Sequence, residues 1–226
     1  MYICQVGPPA FMLVVDTCID EDELAHLRDA LQQTLNLLPE DALVGLITFG
    51  TLVHVHEIGF SDCSKSYVFR GEREYNTAKV QEMLGIAPPM SRTGPAGAGN
   101  QMAGRQPALG RFLMPVGECT FALEQILEDL QKDPWPCQPD EVLSEYHTCK
   151  HQCLYRYFCC SCSNRDAIIP QRVQRCTGTA LSVAIGLLES AVPVPKQGSR
   201  LMLFIAGPPT VGSGNIVGRL VVEPSQ

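Results

Sequence analysis

Cysteines and histidines crowd one stretch of this chain, and these residue types bind zinc or act as nucleophiles in proteins. The stretch between Trp135 and Thr177 contains most of the eleven cysteines together with two histidines. Two pairs of thiols have a spacing that resembles a zinc site, with His151 as a substitute ligand; they are Cys149, Cys153, Cys159 and Cys162. Only five residues separate the pairs, whereas structural zinc sites use a longer segment that folds around the metal. The spacing therefore favours no metal site, and zinc at these four thiols stays the alternative.

The same residue types allow two other kinds of chemistry. A cysteine nucleophile needs a base beside it, and Cys153 has His151 nearby in sequence only. Disulfides form in oxidising compartments, which a protein reaches through a signal peptide. The amino terminus "MYICQVGPPAFMLVVD" has neither the basic stretch nor the cleavage site of a signal peptide, so it predicts no secretion. We therefore expect no catalytic residue and no disulfide framework here.

Composition limits the class of protein. The chain has 226 residues, 45% of them hydrophobic and 18% charged, with a net charge of -7. These values are typical of a soluble globular domain and argue against binding nucleic acid through bulk charge. The most apolar candidate span, "LSVAIGLLESAVPV", is interrupted by Glu189 and Pro193. The expectation is one main cytoplasmic domain without a transmembrane segment.

The first half of the chain predicts strands around an amphipathic helix. "AFMLVVD", from Ala10 to Asp16, is typical of a strand buried on both faces. Five leucines then recur at spacings of three and four, which predicts a helix; they are Leu24, Leu27, Leu31, Leu35 and Leu38. Asp20 and Glu23 form a capping-box-like pair at its start, so the acidic cluster there is interpreted as capping. Strands are predicted from Val44 to Phe49 and from Leu52 to Ile58, with a tight turn at Gly50.

Two histidines on the third predicted strand form a further candidate metal pair. His54 and His56 are two residues apart and therefore lie on one face of that strand. Because no cysteine or carboxylate pattern accompanies them, a half-exposed strand face is favoured over a metal site.

The second half of the chain predicts a loop, two helices and a strand. Residues 88–110 are rich in Gly, Pro and Ala and predict a mobile surface loop without a phosphate-binding motif. "TFALEQILEDLQK" predicts an amphipathic helix with five apolar positions; these are Phe121, Leu123, Ile126, Leu127 and Leu130. "TGTALSVAIGLLESA" predicts a buried helix, and "RLMLFIAG" a buried strand. This alternation predicts an α/β fold with a mainly parallel sheet covered on both faces.

Several stretches together resemble a known family. They are "VVDTCIDEDEL", "LLPEDALVGLITFGTLVHVHEIG", "KSYVFRG", "LQKDPWP", "RCTGTALSVAIGLLE" and "RLMLFIAGPPTVGSG". In this order they resemble the trunk domain of Sec23, the GTPase-activating inner-coat subunit of COPII vesicles. The resemblance implies an incomplete von Willebrand A-like trunk, with a mainly parallel sheet and helices on both faces.

The resemblance also implies a role and partners. The role is a coat component in transport from the endoplasmic reticulum to the Golgi, without an active site of its own. The implied partners are a cargo-adaptor sister subunit, a Sar-type small GTPase and outer-coat subunits, and no nucleic acid. The implied location is cytoplasmic and peripheral, on the endoplasmic reticulum membrane and COPII vesicles. A free-standing A-type module that binds its ligand through a cation, or a small zinc-binding protein, remains the alternative.

This sequence departs from the family pattern at its candidate sites. A-type domains bind a divalent cation through Asp-x-Ser-x-Ser, and the matching positions here are Asp16, Cys18 and Asp20. Because a neutral thiol is a poor magnesium ligand, the resemblance implies that this cation site is lost. The zinc of the complete family belongs to an upstream domain, and the activating arginine to a downstream one; neither matches a stretch of this chain. We therefore expect no cofactor and no stimulation of GTP hydrolysis.

The cysteine-rich stretch is interpreted as an insertion into the trunk. Residues 1–9 are predicted to precede the trunk, residues 10–141 and 172–226 to form its two parts, the second truncated, and residues 142–171 to be a disordered insertion. Val142 can be encoded with GT first and Gln171 with AG last, so the segment has the ends and composition of a translated intron. Its removal leaves "DPWPCQPDERVQRCTG", a short connector of the kind that the family has.

Overall fold

A six-stranded sheet forms the centre of the molecule in a computed structural model, which describes residues 8–60, 63–86, 108–134, 173–191 and 198–216. The strands are β1 (Ala10–Asp16), β2 (Leu43–Phe49), β3 (Leu52–His56), β4 (Ser66–Arg70), β5 (Met114–Pro115) and β6 (Ser199–Phe204). They follow the order β4-β3-β2-β1-β6, and β5 pairs with the start of β2.

Both faces of this sheet carry helices. These are α1 (Glu21–Leu37), α2 (Thr77–Leu84), α3 (Val116–Glu128) and α4 (Thr177–Ala191). Alternate residues of β1 point to opposite faces. Met12 and Val14 join the core beneath α2 and α4, while Leu13 and Val15 join the core beneath α1 and α3. The predicted α/β class with helices on both faces is confirmed.

The share of parallel pairing is smaller than the sequence predicts. β1 pairs in parallel with β2 and with β6, whereas β2–β3, β3–β4 and β2–β5 are antiparallel. The β2–β3 hairpin turns at Gly50, as predicted, and a two-residue connection of this kind requires antiparallel strands. In the described residues the sheet is therefore mixed.

The first predicted helix is confirmed with its predicted N-cap residue, but without the expected capping hydrogen bond. Leu24, Leu31 and Leu35 are buried, and Leu27 and Leu38 pack against the same core. Asp20 occupies the N-cap position, yet its side chain makes no capping hydrogen bond. It pairs instead with Lys132, whose Nζ lies 3.0 Å from Asp20 Oδ1. Asp20 thus takes part in an ion pair between two segments and in no local capping bond.

Three other elements differ from the sequence prediction. Helix α3 begins at Val116, earlier than expected, and Phe121 is 72% exposed while the other predicted apolar positions are buried. Strand β3 ends at His56 instead of Ile58. Strand β6 forms where predicted, but most of its side chains are exposed, since no described strand pairs with its outer edge.

Strand β4 and helix α2 were not predicted as elements. Asn76 caps α2 by accepting a hydrogen bond from the Lys79 amide at 2.8 Å, and Gly85 ends it with a φ of 64°.

Most of the predicted loop at 88–110, and all of the predicted insertion at 142–171, lie outside the described residues. Among the residues that the structure describes, no helix is both long enough and apolar enough to cross a membrane.

Candidate functional site at the carboxyl end of the sheet

The carboxyl ends of β1 and β2 meet at one edge of the sheet, where several polar groups come together. Asp16 ends β1, Gly50 follows β2, and Arg175 precedes α4. Thr17 ties the first two strands together here, because its amide and its hydroxyl both donate to the Phe49 carbonyl oxygen. We call this region the carboxyl pole.

Asp16 is buried at the centre of the carboxyl pole, with 1% of its side chain exposed. Its Oδ1 accepts a hydrogen bond from the Cys18 amide at 2.8 Å. Its Oδ2 accepts from Arg175 Nε at 2.7 Å and from the Ala206 amide at 3.1 Å. Each carboxylate oxygen therefore accepts at least one hydrogen bond, and the three donors come from three different segments of the chain.

The Arg175 guanidinium pairs with Asp16, the first of the three positions that match the cation motif of A-type domains. Its Nη2 also donates to the Cys18 carbonyl oxygen at 2.6 Å, and only 13% of its side chain is exposed. The Arg175 backbone amide donates to Thr210 Oγ1 at 2.8 Å, which fixes the base of the side chain. The positive charge beside the Asp16 carboxylate is thus supplied by the chain itself.

The other two positions that match this motif, Cys18 and Asp20, have partners of their own. The Cys18 thiol donates to the Gln174 carbonyl oxygen at 3.4 Å, and burial, with the charges of Asp133 and Asp16, raises its pKa. The Asp20 carboxylate pairs with Lys132. In the described ranges, no group of three or more histidine, cysteine or carboxylate side chains is arranged to hold a metal ion. The residues present do not fit a divalent cation at Asp16.

Asp133 connects the end of α3 to the same pole. Its Oδ2 accepts from the Thr51 amide at 2.6 Å, and its amide donates to the Thr17 carbonyl oxygen at 2.9 Å. A Cβ on Gly50 would lie 1.8 Å from Asp133 Oδ2, so a side chain there would displace Asp133. The Cys176 amide donates to the Gly50 carbonyl oxygen at 3.0 Å. Residues from both sides of the predicted insertion, Asp133 and Cys176, therefore lie against Gly50.

The start of α4 is packed equally closely. A Cβ on Gly178 would lie 1.9 Å from the Ser213 carbonyl oxygen. Thr179 Oγ1 donates to the Gly71 carbonyl oxygen at 2.8 Å, linking α4 to the end of β4.

The stretches that carry the family resemblance thus meet at the carboxyl pole although they are far apart in sequence. Sequence reasoning missed the pairing of Asp16 with Arg175, for which the only local signal was an arginine before the "CTG" of α4.

The two candidate histidines lie on one face of β3, as predicted, and each is partly buried. His56 Nε2 lies 3.0 Å from Thr48 Oγ1 on β2. Burial, with the neighbouring His54, lowers the pKa of His56 to about 4. Burial also lowers the pKa of His54, although Asp133 opposes that change. Both rings are thus favoured in their neutral forms.

A second charged cluster, which sequence reasoning missed, lies just after β3. Glu57 is buried, and Arg111 Nε and Lys65 Nζ lie 2.5 and 2.7 Å from its two carboxylate oxygens. Burial alone works to raise the pKa of Glu57, but hydrogen bonds from Arg111 and Lys65 hold it below its usual value. Arg111 Nη2 also donates to the Tyr67 hydroxyl at 2.8 Å. The cluster joins the loop after β3 to β4 and to the segment before β5.

The cysteines that the structure describes are poor nucleophiles where they are buried. Burial raises the pKa of Cys119 to about 11 and that of Cys176 to about 12. A thiol with such a pKa is protonated near neutral pH, and the thiolate is the reactive form. The four thiols of the zinc alternative, Cys149, Cys153, Cys159 and Cys162, and the Cys153–His151 pair lie outside the described residues.

Comparison with known proteins agrees with the resemblance seen in the sequence. The family model of the Sec23/Sec24 trunk domain matches residues 6–154 and 163–221. Its interruption falls inside the predicted insertion at 142–171 without sharing its boundaries, which stay a prediction. A solved structure, that of the human COPII-coat protein Sec24c, is 14% identical with a TM-score of 0.49. That match covers 94% of this chain and 21% of that chain, so this chain spans about a fifth of its length.

Proposed function

The chain belongs to the Sec23/Sec24 trunk domain family, and from this premise we propose that it is an interaction scaffold of the COPII coat in transport from the endoplasmic reticulum to the Golgi. Its proposed location is cytoplasmic, and peripheral on the endoplasmic reticulum membrane and COPII vesicles. The observation that carries the proposal is the family match over residues 6–154 and 163–221, both of which contribute to the carboxyl pole.

Within the family, we propose that this chain resembles the GTPase-activating subunit, Sec23, more than the cargo adaptor. The support is the set of sequence stretches quoted above, including "LVGLITFG" and "KSYVFRG". The proposed partners are a cargo-adaptor sister subunit, a Sar-type small GTPase and outer-coat subunits. Zinc in the complete family belongs to a domain outside this resemblance, so no cofactor is proposed for this chain.

We propose that the chain binds these partners without catalysing a reaction. Two arginines with little exposed surface, Arg111 and Arg175, are held in ion pairs with Glu57 and Asp16. An arginine that activates a GTPase must instead reach the phosphates of its partner, where it neutralises the charge that develops during hydrolysis. The geometry of these two side chains supports a structural role for each of them.

The alternative of a free-standing cation-dependent module has less support. Such a module needs free carboxylate and hydroxyl oxygens around an open coordination position. Here three donors occupy the Asp16 carboxylate. The zinc-binding alternative rests on thiols outside the described residues, and its test is a measurement of bound zinc in the purified chain.

The test is sedimentation of the purified chain with a purified cargo-adaptor subunit and with a GTP-loaded Sar-type GTPase, followed by a GTP hydrolysis assay. We expect a complex with at least one partner and no acceleration of hydrolysis. Absence of both complexes at micromolar concentrations contradicts the scaffold proposal. Acceleration by about a thousandfold or more, the effect of an arginine finger, contradicts the proposal that catalysis is absent.

A further inference from the structure

The segment that follows β6 runs across the carboxyl pole, and residues 206–216 are called the pole loop below. Each residue of the pole loop is exposed or half-buried. The polar side chains that it contacts are nevertheless largely buried, since only 1% of the Asp16 side chain and 13% of the Arg175 side chain are exposed. A loop that is itself open to solvent therefore helps to cover an ion pair.

The pole loop lies directly against both members of this ion pair. The Ala206 amide donates to Asp16 Oδ2 at 3.1 Å. A Cβ on Gly207 would lie 2.6 Å from Arg175 Nη1, so the backbone of the loop runs beside the guanidinium. Solvent or a ligand can therefore reach this side of the ion pair only when the loop moves.

Thr210 joins the pole loop to the backbone of Arg175. Its Oγ1 accepts from the Arg175 amide and donates to the Val173 carbonyl oxygen, both at 2.8 Å. The amides of Thr210 and Val211 donate to the Arg175 carbonyl oxygen at 3.0 and 3.2 Å. Both backbone polar groups of Arg175 thus have partners in the loop, so a movement that breaks these bonds also frees the backbone of Arg175.

Apolar packing contributes little to holding the pole loop. Val211 is partly buried against the core beneath α2 and α4, whereas Ile216 is 78% exposed. The loop is therefore held mainly by hydrogen bonds, whose net contribution to stability is modest because water replaces them on opening. Segments with few buried apolar contacts open at a lower free energy than the whole domain unfolds.

We propose that the pole loop and residues 173–175 open together as one local unit while the sheet stays folded, with Thr210 as the residue that couples them. The closed state covers the ion pair of Asp16 and Arg175, and the open state exposes it. A ligand that binds this ion pair must then bind the open state, and its apparent affinity is reduced by the fraction of the chain that is open. This inference goes beyond the proposed coat function and does not depend on it.

The test is amide hydrogen exchange of the full chain, resolved by NMR, at urea concentrations below the unfolding transition. We expect the amides of Ala206, Thr210, Val211 and Arg175 to share one level of protection, at least about tenfold lower than that of the amides in the middle of β1. Their exchange should also depend less on urea than that of β1, because a local opening exposes less surface than global unfolding.

Two variants separate local opening from global unfolding. Ile126→Val weakens the core beneath α1 and α3, and it should make β1 exchange about fivefold faster while the pole loop is unchanged. Thr210→Val removes both hydroxyl hydrogen bonds, and it should make the Ala206 amide, which is bonded elsewhere, exchange about tenfold faster. Ser213→Ala is the matched control; it removes a hydroxyl whose hydrogen bond is exposed, and the change at Ala206 should be below about twofold.

The results decide between one local unit and the alternatives. Equal urea dependence in the pole loop and in β1, or acceleration of both by Ile126→Val, shows that the loop opens only with global unfolding and overturns the proposal. Different protection of Ala206 and Arg175, or an Ala206 amide that Thr210→Val leaves unchanged, shows that the two segments open separately and also overturns it. If Thr210→Val does not fold, the urea dependence of the unmodified chain and the Ile126→Val result decide.

Discussion

At the scale of single residues, Arg175 determines the chemistry of the carboxyl pole. Its guanidinium is bound to Asp16 and to the Cys18 carbonyl oxygen. A buried carboxylate is costly unless it is paired and hydrogen-bonded. The ion pair therefore makes the burial of Asp16 compatible with a stable fold and removes the position that a metal would need.

Loss of Arg175 is expected to destabilise the domain strongly. Arg175→Met leaves the Asp16 carboxylate buried without its ion pair, and we expect a loss of about 3–5 kcal/mol in the free energy of unfolding. Urea denaturation measures it. The matched control is Arg200→Met, at an exposed arginine on β6, for which the expected loss is below about 1 kcal/mol. Equal losses in the two variants would show that the ion pair is not important for stability.

Divalent cations are not expected to stabilise the chain. Magnesium would have to displace the Arg175 guanidinium from Asp16, and the Cys18 thiol is a poor ligand for this ion. The melting temperature should therefore be the same with magnesium and with a chelator. A magnesium-dependent increase that disappears in Asp16→Ala would contradict this expectation.

His56 is expected to make stability depend on pH. Its folded-state pKa of about 4 lies below the usual 6.5, so the unfolded chain binds the proton more readily. The contribution of neutral His56 to the free energy of unfolding is fully present above pH 6.5 and is lost as the pH falls through about 4. The loss is on the order of 2 kcal/mol, because one pKa unit corresponds to about 1.4 kcal/mol and the ring is only partly buried.

Comparison of variants separates this effect from the titration of carboxylates. Denaturation curves for the unmodified chain and for His56→Gln should converge as the pH falls from about 6.5 to about 4. His26→Gln, at an exposed position of α1, is the control and should change nothing. A constant difference between the unmodified chain and His56→Gln over this range would rule out the titration of His56 as the cause.

At the scale of elements, close backbone approaches decide how α4 meets the sheet. Gly178 lies against the Ser213 carbonyl oxygen, and Gly50 lies against Asp133. A side chain at either position would force its neighbours to shift. Together with the contacts of Cys176 with Gly50 and of Thr179 with Gly71, these approaches bring the loops after β2, β4 and β6 to the start of α4. The glycines of the quoted stretches therefore have a packing role at this pole.

Gly178→Ala tests the close approach at the start of α4. Alanine usually stabilises a helix relative to glycine, but here its Cβ would lie 1.9 Å from the Ser213 carbonyl oxygen. We expect a loss of about 1–3 kcal/mol in the free energy of unfolding, as for other overpacked sites. Gly198→Ala, where no atom lies within 4 Å of the added Cβ, is the control and should cost much less. Increased stability of Gly178→Ala would contradict the packing seen here.

At the scale of the whole molecule, the two parts of the chain form one sheet although the cysteine-rich stretch separates them in sequence. Strand β6 pairs with β1 along six residues, and Arg175 pairs with Asp16. Asp133 and Cys176, on either side of the predicted insertion, both contact Gly50. We therefore expect that a short connector between them is sufficient for the fold.

Deletion of residues 142–171 is expected to leave the domain intact. Residues 134–141 and 172–175 remain, and an extended chain of that length spans more than about 30 Å, well beyond what two contacts to one glycine require. The melting temperature of the deletion variant should be equal to or higher than that of the full chain, with less aggregation on oxidation. Unfolding of the deletion variant would contradict the insertion hypothesis.

The origin of the segment has its own tests. Genomic DNA without GT and AG at the boundaries of residues 142–171 would contradict a translated intron. Stoichiometric zinc bound by the full chain, whose removal unfolds the domain, would favour the zinc alternative at Cys149, Cys153, Cys159 and Cys162.

The sequence by itself determined the elements whose patterns are strong and local. Strand β1 was predicted with its observed bounds, because a run of apolar residues ending in Asp16 is buried on both faces. Helix α1 followed from the spacing of its leucines, and helix α4 from its long apolar stretch. The quoted stretches indicated the family because their order and length are specific.

Only the tertiary structure decided which of these residues meet. Asp16 and Arg175 are 159 positions apart, and no local pattern can show that a guanidinium approaches that carboxylate. Asp20 was a capping residue by its position, but the approach of Lys132 gave it a different partner. Strand β6 has the sequence of a buried strand, yet burial also requires neighbours, and the described residues place none on its outer side. Local preference selects the type of an element, whereas long-range packing selects its partners.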